Sequence, residues 1–289
     1  MAEPVRKMPA DREPEFAPTS ADPFRYGWRW RSVRLPSGEV VEQQIPLTPE
    51  DLLDPQLGDE VPQSDPHHEL LLVVDELLTR RFASRQDVCV ASDMKMLWGI
   101  PGFKEPSPDI AVIPGVRKKR DPERTVFDVV REGTRPCLVI EIVSSTDAET
   151  RRNDYERKVE IYQRAGIPEH LILDPATSFT QGRLLLTGYR LGPDGRYQRI
   201  EPDREGRLLS ETAGLLFGVA EDGQTIRVFN AATGQRLLTP LELEKEIQKV
   251  TLERAAREAE ARKVAEERAA AAEAELARLR AELERLGQS

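Results

Sequence analysis

The apolar run Cys137-Leu-Val-Ile-Glu-Ile-Val143 carries one carboxylate, Glu141. Runs of this kind mark strands buried on both faces. An ionised carboxylate inside one is costly unless it is neutralised or finds a cation, so something must compensate Glu141. Downstream, Asp154, Lys158 and Tyr162 stand at i, i+4 and i+8, a spacing that lines them along one side of a helix. A second carboxylate, Asp109, follows Pro108 and opens the apolar run Ile110-Ala-Val-Ile113. Asp154 with Lys158 alone would be a plain surface pair worth about 0.3–0.5 kcal/mol. Joined to Asp109 and to a glutamate within an apolar strand, the same pair reads as part of a charged site.

The elements that must position these groups follow from the same stretch. Ser144-Ser-Thr-Asp147 offers capping side chains for a helix from about Asp147 to Ala165, and Gly166 ends it. His170-Leu-Ile-Leu-Asp174 starts the next strand, giving strand, loop, helix, turn, strand. Asp109 sits at a strand mouth after the loop from Gly99 to Ser107.

The order PD, gap, E-x-V, then a helix carrying lysine resembles the PD-(D/E)xK nuclease superfamily, with the lysine moved from the strand position (Val143) to the following helix (Lys158). More narrowly, the chain resembles the Uma-two family of endonucleases. The matching words are SPDIAVIPGV, the approach Glu132-Gly133-Thr-Arg-Pro136, VIEIVSSTDAETRRNDYERKVEIYQRAGIPEH and LILDP. The resemblance spans about residues 25 to 238 and is most specific from Glu141 to Gly166. It departs at Glu169-His170-Leu171, where relatives read E-Y-W or E-Y-F.

The resemblance implies an α/β fold: a restriction-endonuclease-like mixed sheet flanked by helices, with an antiparallel β extension. It implies a metal-dependent endonuclease hydrolysing phosphodiester bonds in DNA. Hard oxygen ligands suit Mg²⁺ (or Mn²⁺), which asks for one or two carboxylates; these would be Asp109 and Glu141, joined by a backbone carbonyl near Val143. Lys158 would position the attacking water or stabilise charge on the phosphate, and a lysine can do so from a helix because its stem is long. Asp154 and Tyr162 would orient Lys158 or a bound water. In the superfamily an early acidic residue of the helix packed on the sheet can help hold the metal. Glu69 is that candidate here, beside His67 and His68, although a carboxylate is also simply welcome at a helix N-terminus. A second class of function stays open: a catalytically silent nuclease fold serving as a DNA-binding or assembly module through its C-terminal helix.

The 289 residues allow one sizeable domain with appendages, and a net charge of −9 argues against a surface coated with basic residues for nucleic acid. Arg117-Lys-Lys-Arg120 is the local exception and the candidate contact to a DNA backbone, with a solvated loop as the alternative. Cys89 and Cys137 lie in apolar contexts and read as buried free thiols; no spacing suits zinc. No apolar run is long enough for a membrane span and no signal peptide is apparent, so a cytoplasmic protein is expected.

Residues 1–22 are rich in proline, alanine and charge and read as disordered. The body is expected over 23–238, beginning with a hairpin in which tryptophan and arginine alternate from Arg25 to Arg34. Such alternation marks one buried face or a surface that stacks on bases. An amphipathic helix is expected from His68 to about Phe82, one strand or two short ones over 87–98, and several short strands beyond Pro175. Residues 239–289 form one long helix, free of Gly and Pro from Leu241 to Leu286, with heptad spacing at Leu276, Leu279, Leu283 and Leu286. A coiled coil through which the chain self-associates, or packs on a partner, is the expectation.

Overall fold

The computed structural model describes residues 22–117, 124–144 and 147–286, with side chains through 281. The compact units are residues 1–236 and 237–289. In the first, a six-stranded sheet has the order β10-β9-β8-β7-β5-β3, with β3 (Val88–Ser92), β5 (Ile110–Pro114), β7 (Leu138–Ile142), β8 (Glu169–Asp174), β9 (Leu185–Leu191) and β10 (Tyr197–Arg199). Within this sheet, among the described residues, only β7 and β8 pair in parallel. A parallel pair needs a crossover, and that crossover is the helical segment carrying Asp154, Lys158 and Tyr162.

Every residue of β7 and β8 is buried, as the apolar run predicts for a strand covered on both sides. Side chains alternate between faces. Val139 belongs to a core with Ala111, Ile113, Tyr162, Ala165 and Ile167, so Glu141, two residues on, shares the face covered by the crossover helix. The amphipathic helix α1 (Asp65–Arg81) buries Leu70, Leu71, Val74, Leu77 and Leu78 and packs against β3 and β7.

The segment 87–98 resolves into two short strands, β3 and β4 (Lys95–Leu97), the latter pairing in parallel with β6 (Val126–Asp128). Asp93 makes the corner between them with φ 48°. The amino-terminal hairpin is β1 (Trp28–Arg34) with β2 (Val40–Pro46). The expected β extension divides: β9 and β10 widen the central sheet, while β11 (Leu208–Ser210), β12 (Leu215–Val219) and β13 (Ile226–Asn230) make their own antiparallel sheet. Glu169 of β8 joins the two sheets, accepting hydrogen bonds from Ser210, Thr212 and Arg190. Both cysteines are free, Cys89 buried and Cys137 half-buried.

In the second unit, Thr239 and Glu242 cap each other at the start of α5 (Pro240–Leu286). The helix leaves Leu241, Ile247, Val250, Leu252, Leu276 and Leu279 exposed. No helix is long and apolar enough to cross a membrane among the described residues. The expected disorder of residues 1–22 falls, but for Asp22, outside the described residues.

His170 of β8 lies in the stretch where the sequence departs from the pattern it resembles. It is fully buried among Tyr162, Tyr189 and Tyr197, and neither ring nitrogen has a hydrogen-bond partner among the described residues. Burial therefore pushes its pKa down to about 3. A base with a depressed folded pKa stabilises the native state above its ordinary value and costs stability as pH falls below it. His170→Phe keeps the ring contacts and removes this cost. Its melting-temperature advantage over wild type should grow as pH falls from about 6.5 to about 4, by at most about 1.4 kcal/mol per pH unit. A constant difference across that range would show that His170 is not held neutral.

Candidate active site

The antiparallel register of β5 and β7 pairs Ile110 with Ile140; carried one residue further, it sets Asp109 beside Glu141. There the ladder opens, and backbone donors that lose a strand partner must find another. The Ile142 N–H donates to Asp109 Oδ2 at 2.6 Å and the Ser144 N–H to Asp154 Oδ2 at 3.1 Å, while the Val143 N–H between them donates to Leu173 O. Two carboxylates thus fasten the carboxyl end of β7.

The crossover opens with Asp147 accepting from the N–H groups of Glu149 and Thr150, the cap read from the sequence. It runs through α3 (Ala148–Arg152), one π-helical turn (Asn153–Arg157) and α4 (Lys158–Arg164). Such wide turns recur at functional sites. This one holds Asp154 and leads directly into Lys158. Lys158 Nζ lies 2.6 Å from Glu141 Oε2 and 2.8 Å from Asp154 Oδ1, and Tyr162 OH donates to Glu141 Oε1 at 2.5 Å. The glutamate therefore has its compensation: a cation on one oxygen and a phenol on the other. Glu141 and Tyr162 are fully buried and Asp154 nearly so. Lys158 keeps 13% of its side chain exposed.

Burial raises the Glu141 pKa, opposed by the Lys158 charge and helped by Asp109 and Asp154. Burial raises Asp154 as well. Asp109 goes the other way: burial pushes it up, but the His67 contact, the Lys158 charge and the Ile142 N–H outweigh this and hold it below the usual range. Desolvation pulls Lys158 down, yet the surrounding carboxylates hold it well above an ordinary lysine. Lys158 is thus a fixed positive charge and a poor general base.

A cavity of about 590 Å³ opens over this cluster, with Asp109, Asp154, Lys158, His67, Asp93 and Ser144 in its wall. Glu141 is absent from that wall and lies behind Lys158. His67 supplies the contact from α1: its Nε2 is 3.5 Å from Asp109 Oδ1, and the Asp109 charge, working against burial, raises its pKa. Glu69 is exposed and takes no part in the wall. The signal for His67 was present in its phase, because 67, 71, 74 and 78 form one stripe with Leu71, Val74 and Leu78; Glu69 lies off that stripe. Asp93 faces the cavity, its pKa raised by burial and by Asp109. Arg117 is exposed, and Lys118, Lys119 and Arg120 lie outside the described residues.

The family model described as "Putative restriction endonuclease" (Uma2) matches residues 51–228, more than half of the 289-residue chain. The chain belongs to the Uma2 family. All the groups of the buried cluster fall inside the matched span, as does the whole cavity wall. Among solved structures, a protein from Anabaena variabilis described as a "putative nuclease belonging to DUF820" shares 14% identity, covering 54% of this chain and 78% of that one, with a TM-score of 0.37. Among curated proteins there is no match.

Because the native state holds the Glu141 proton more tightly than the unfolded chain does, Glu141 stabilises the metal-free protein at low pH and loses this contribution as pH rises through its folded pKa. In Glu141→Gln the new amide would offer Lys158 an oxygen and Tyr162 an N–H, with no charge to bury. In EDTA, the melting temperature of Glu141→Gln relative to wild type should therefore rise from about pH 5 to about pH 8. A difference that stays constant over that range would mean Glu141 is ionised in the folded protein throughout.

Proposed function

We propose that this Uma2-family chain is a divalent-metal-dependent endonuclease that hydrolyses phosphodiester bonds in DNA. The observation that carries the reading is the Lys158 ammonium at the cavity wall, clamped by Glu141 and Asp154 beside Asp109. The charges of the wall support a requirement for metal. Asp59, Glu60, Asp93, Asp109 and Asp154 outnumber Lys95, Arg124 and Lys158, so a phosphodiester entering alone meets net repulsion.

The donor set fits an ion that keeps most of its coordination as water. Among the described residues, no three His, Cys, Asp or Glu side chains group so as to hold a metal, whereas Mg²⁺ is commonly bound through one or two carboxylates. Asp109 and Glu141 are the proposed holders of Mg²⁺ or Mn²⁺; Glu141, whose oxygens meet Lys158 and Tyr162 behind the wall, would join through a lone pair that those contacts leave. Asp109 would use Oδ1, the oxygen that faces His67 rather than the Ile142 N–H. The ion, when bound, supplies Lewis-acid polarisation of the phosphoryl oxygen and lowers the pKa of a water.

The chain's own part is electrostatic and positional. Lys158 places fixed positive charge where negative charge develops on the phosphoryl oxygens. Asp154 and Glu141 hold its ammonium in place, and Tyr162 fixes the glutamate from behind. His67 orients Asp109 from the side of α1.

With Mg²⁺ or Mn²⁺ the full chain should nick circular DNA, and EDTA should stop it. Asp109→Ala and Lys158→Ala, checked for folding by circular dichroism, should each lose about 10²-fold or more of the rate. Calorimetry should register Mg²⁺ on wild type and a much weaker response on Asp109→Ala. Cutting that persists in EDTA or in both variants would refute the assignment, and equal cutting of RNA would refute the choice of DNA. Metal and DNA binding without cleavage would favour the silent binding module.

A further inference from the structure

We infer that His67 is a direct ligand of the ion proposed at Asp109, and that its nitrogen tunes the site to a first-row divalent ion such as Mn²⁺ over Mg²⁺. The inference rests on the nuclease reading for the presence of an ion. His67 keeps only 7% of its surface exposed, and its Nε2 is buried with no hydrogen-bond partner among the described residues. A buried polar atom of this kind costs stability unless something meets it.

The atom it faces is Asp109 Oδ1, 3.5 Å away. A charge-assisted hydrogen bond between a ring nitrogen and a carboxylate closes to about 2.7–2.9 Å, so the two atoms stand further apart than a shared proton asks. Their spacing suits two donors on one ion. With both bonds near 2.1 Å, the gap subtends roughly 110° at the metal, as neighbouring positions of a coordination shell do. Oδ2 meanwhile takes the Ile142 N–H at 2.6 Å, so one carboxylate serves both the end of β7 and the ion.

The fold holds both donors in place. His67 stands in the first turn of α1, after Pro66, on the buried stripe of Leu71, Val74 and Leu78. Asp109 is fixed through its backbone as well, its carbonyl accepting from the Asp93 N–H at 3.1 Å. Both donors lie in the cavity wall with Asp93 and Asp154, so an ion between them has room for waters and further negative charge beside it. Among the described residues no third His, Cys, Asp or Glu groups with this pair to hold a metal, and water fills the other positions. Glu141 then holds the ion through one of those waters, by the lone pair that Lys158 and Tyr162 leave it.

Donor chemistry sets the choice of metal. Mg²⁺ is a hard ion that is bound through oxygen. Imidazole nitrogen suits first-row transition ions, whose affinities rise from Mn²⁺ towards Cu²⁺.

The test is electron spin-echo spectroscopy of Mn²⁺ on the full chain, wild type and His67→Gln, alongside calorimetry of Mn²⁺ and Mg²⁺. A nitrogen bonded to Mn²⁺ modulates the echo through its ¹⁴N nucleus, and a residue that only positions Asp109 does not. The chain has three histidines, so the variant assigns the signal. Wild type should show the modulation and bind Mn²⁺ at least about tenfold more tightly than Mg²⁺. In His67→Gln the modulation should vanish and Mn²⁺ affinity should fall about tenfold or more, with little change for Mg²⁺. Mn²⁺ bound to wild type without modulation would overturn the inference and leave the ion at Asp109 standing, and this measurement decides even where the variant does not fold. Modulation that survives in His67→Gln, or equal weakening of both ions, would overturn it too. Neither ion bound to wild type would end the metal-dependent reading and this inference together.

Discussion

A carboxylate in the middle of a central strand sets the terms for everything around it. Glu141 has no solvent, and an isolated charge there would be expensive beyond anything packing returns. The fold answers by aiming one lysine and one tyrosine from successive turns of α4 at its two oxygens. Removing one partner from a buried pair of this kind typically costs about 3–5 kcal/mol, so the site and the core are one structure. Tyr162 shows this most plainly: its ring belongs to the core beneath α4 and its hydroxyl fixes the glutamate. The residues proposed to carry the chemistry also hold the crossover on the sheet.

The remaining parts of the site follow from that fixed point. With β7 anchored, the antiparallel β5 brings Asp109 to its end, and the opened ladder turns Asp109 and Asp154 into acceptors for backbone N–H groups. Three carboxylates then surround one ammonium, with His67 beside Asp109, leaving more negative than positive charge facing the cavity. That balance of charge is what supports the proposed need for a cation beside a phosphodiester. Asp59 and Glu60 of the cavity wall are tied to the hairpin by Arg29 and by the pairing of Trp28 with Glu60, residues far in sequence from those that would carry the chemistry.

How much of this was legible depended on range. Glu141, Asp154, Lys158 and Tyr162 could be read because one apolar strand and one helical spacing lie within a single stretch, and α5 because Leu241 to Leu286 contain no helix breaker. The association of Asp109 with Glu141 rests on a register between strands some thirty residues apart, and only the resemblance supplied it. Glu69 was chosen by residue type where phase would have chosen His67. The π turn has no compositional signal, since its sequence Asn153-Asp-Tyr-Glu-Arg157 fits an ordinary helix. Residues 55–64, which line the cavity, carry no signal of what they cover, because proline and glycine announce a loop and nothing more. Short strands beyond Pro175 were legible, but the place of β9 and β10 at the edge of the main sheet was set by the pairing of β9 with β8.

The central claim is that Lys158 is a buried, permanently charged ammonium held by Glu141 and Asp154. Nitrogen-detected NMR of the full chain labelled with ¹⁵N-lysine, titrated in EDTA and assigned with Lys158→Arg, observes that group directly. The account predicts an Nζ signal of the charged form, protected from exchange and unchanged while the surface lysines titrate near their ordinary pKa of about 10.4. A Lys158 signal that titrates with the surface lysines or below them would contradict it.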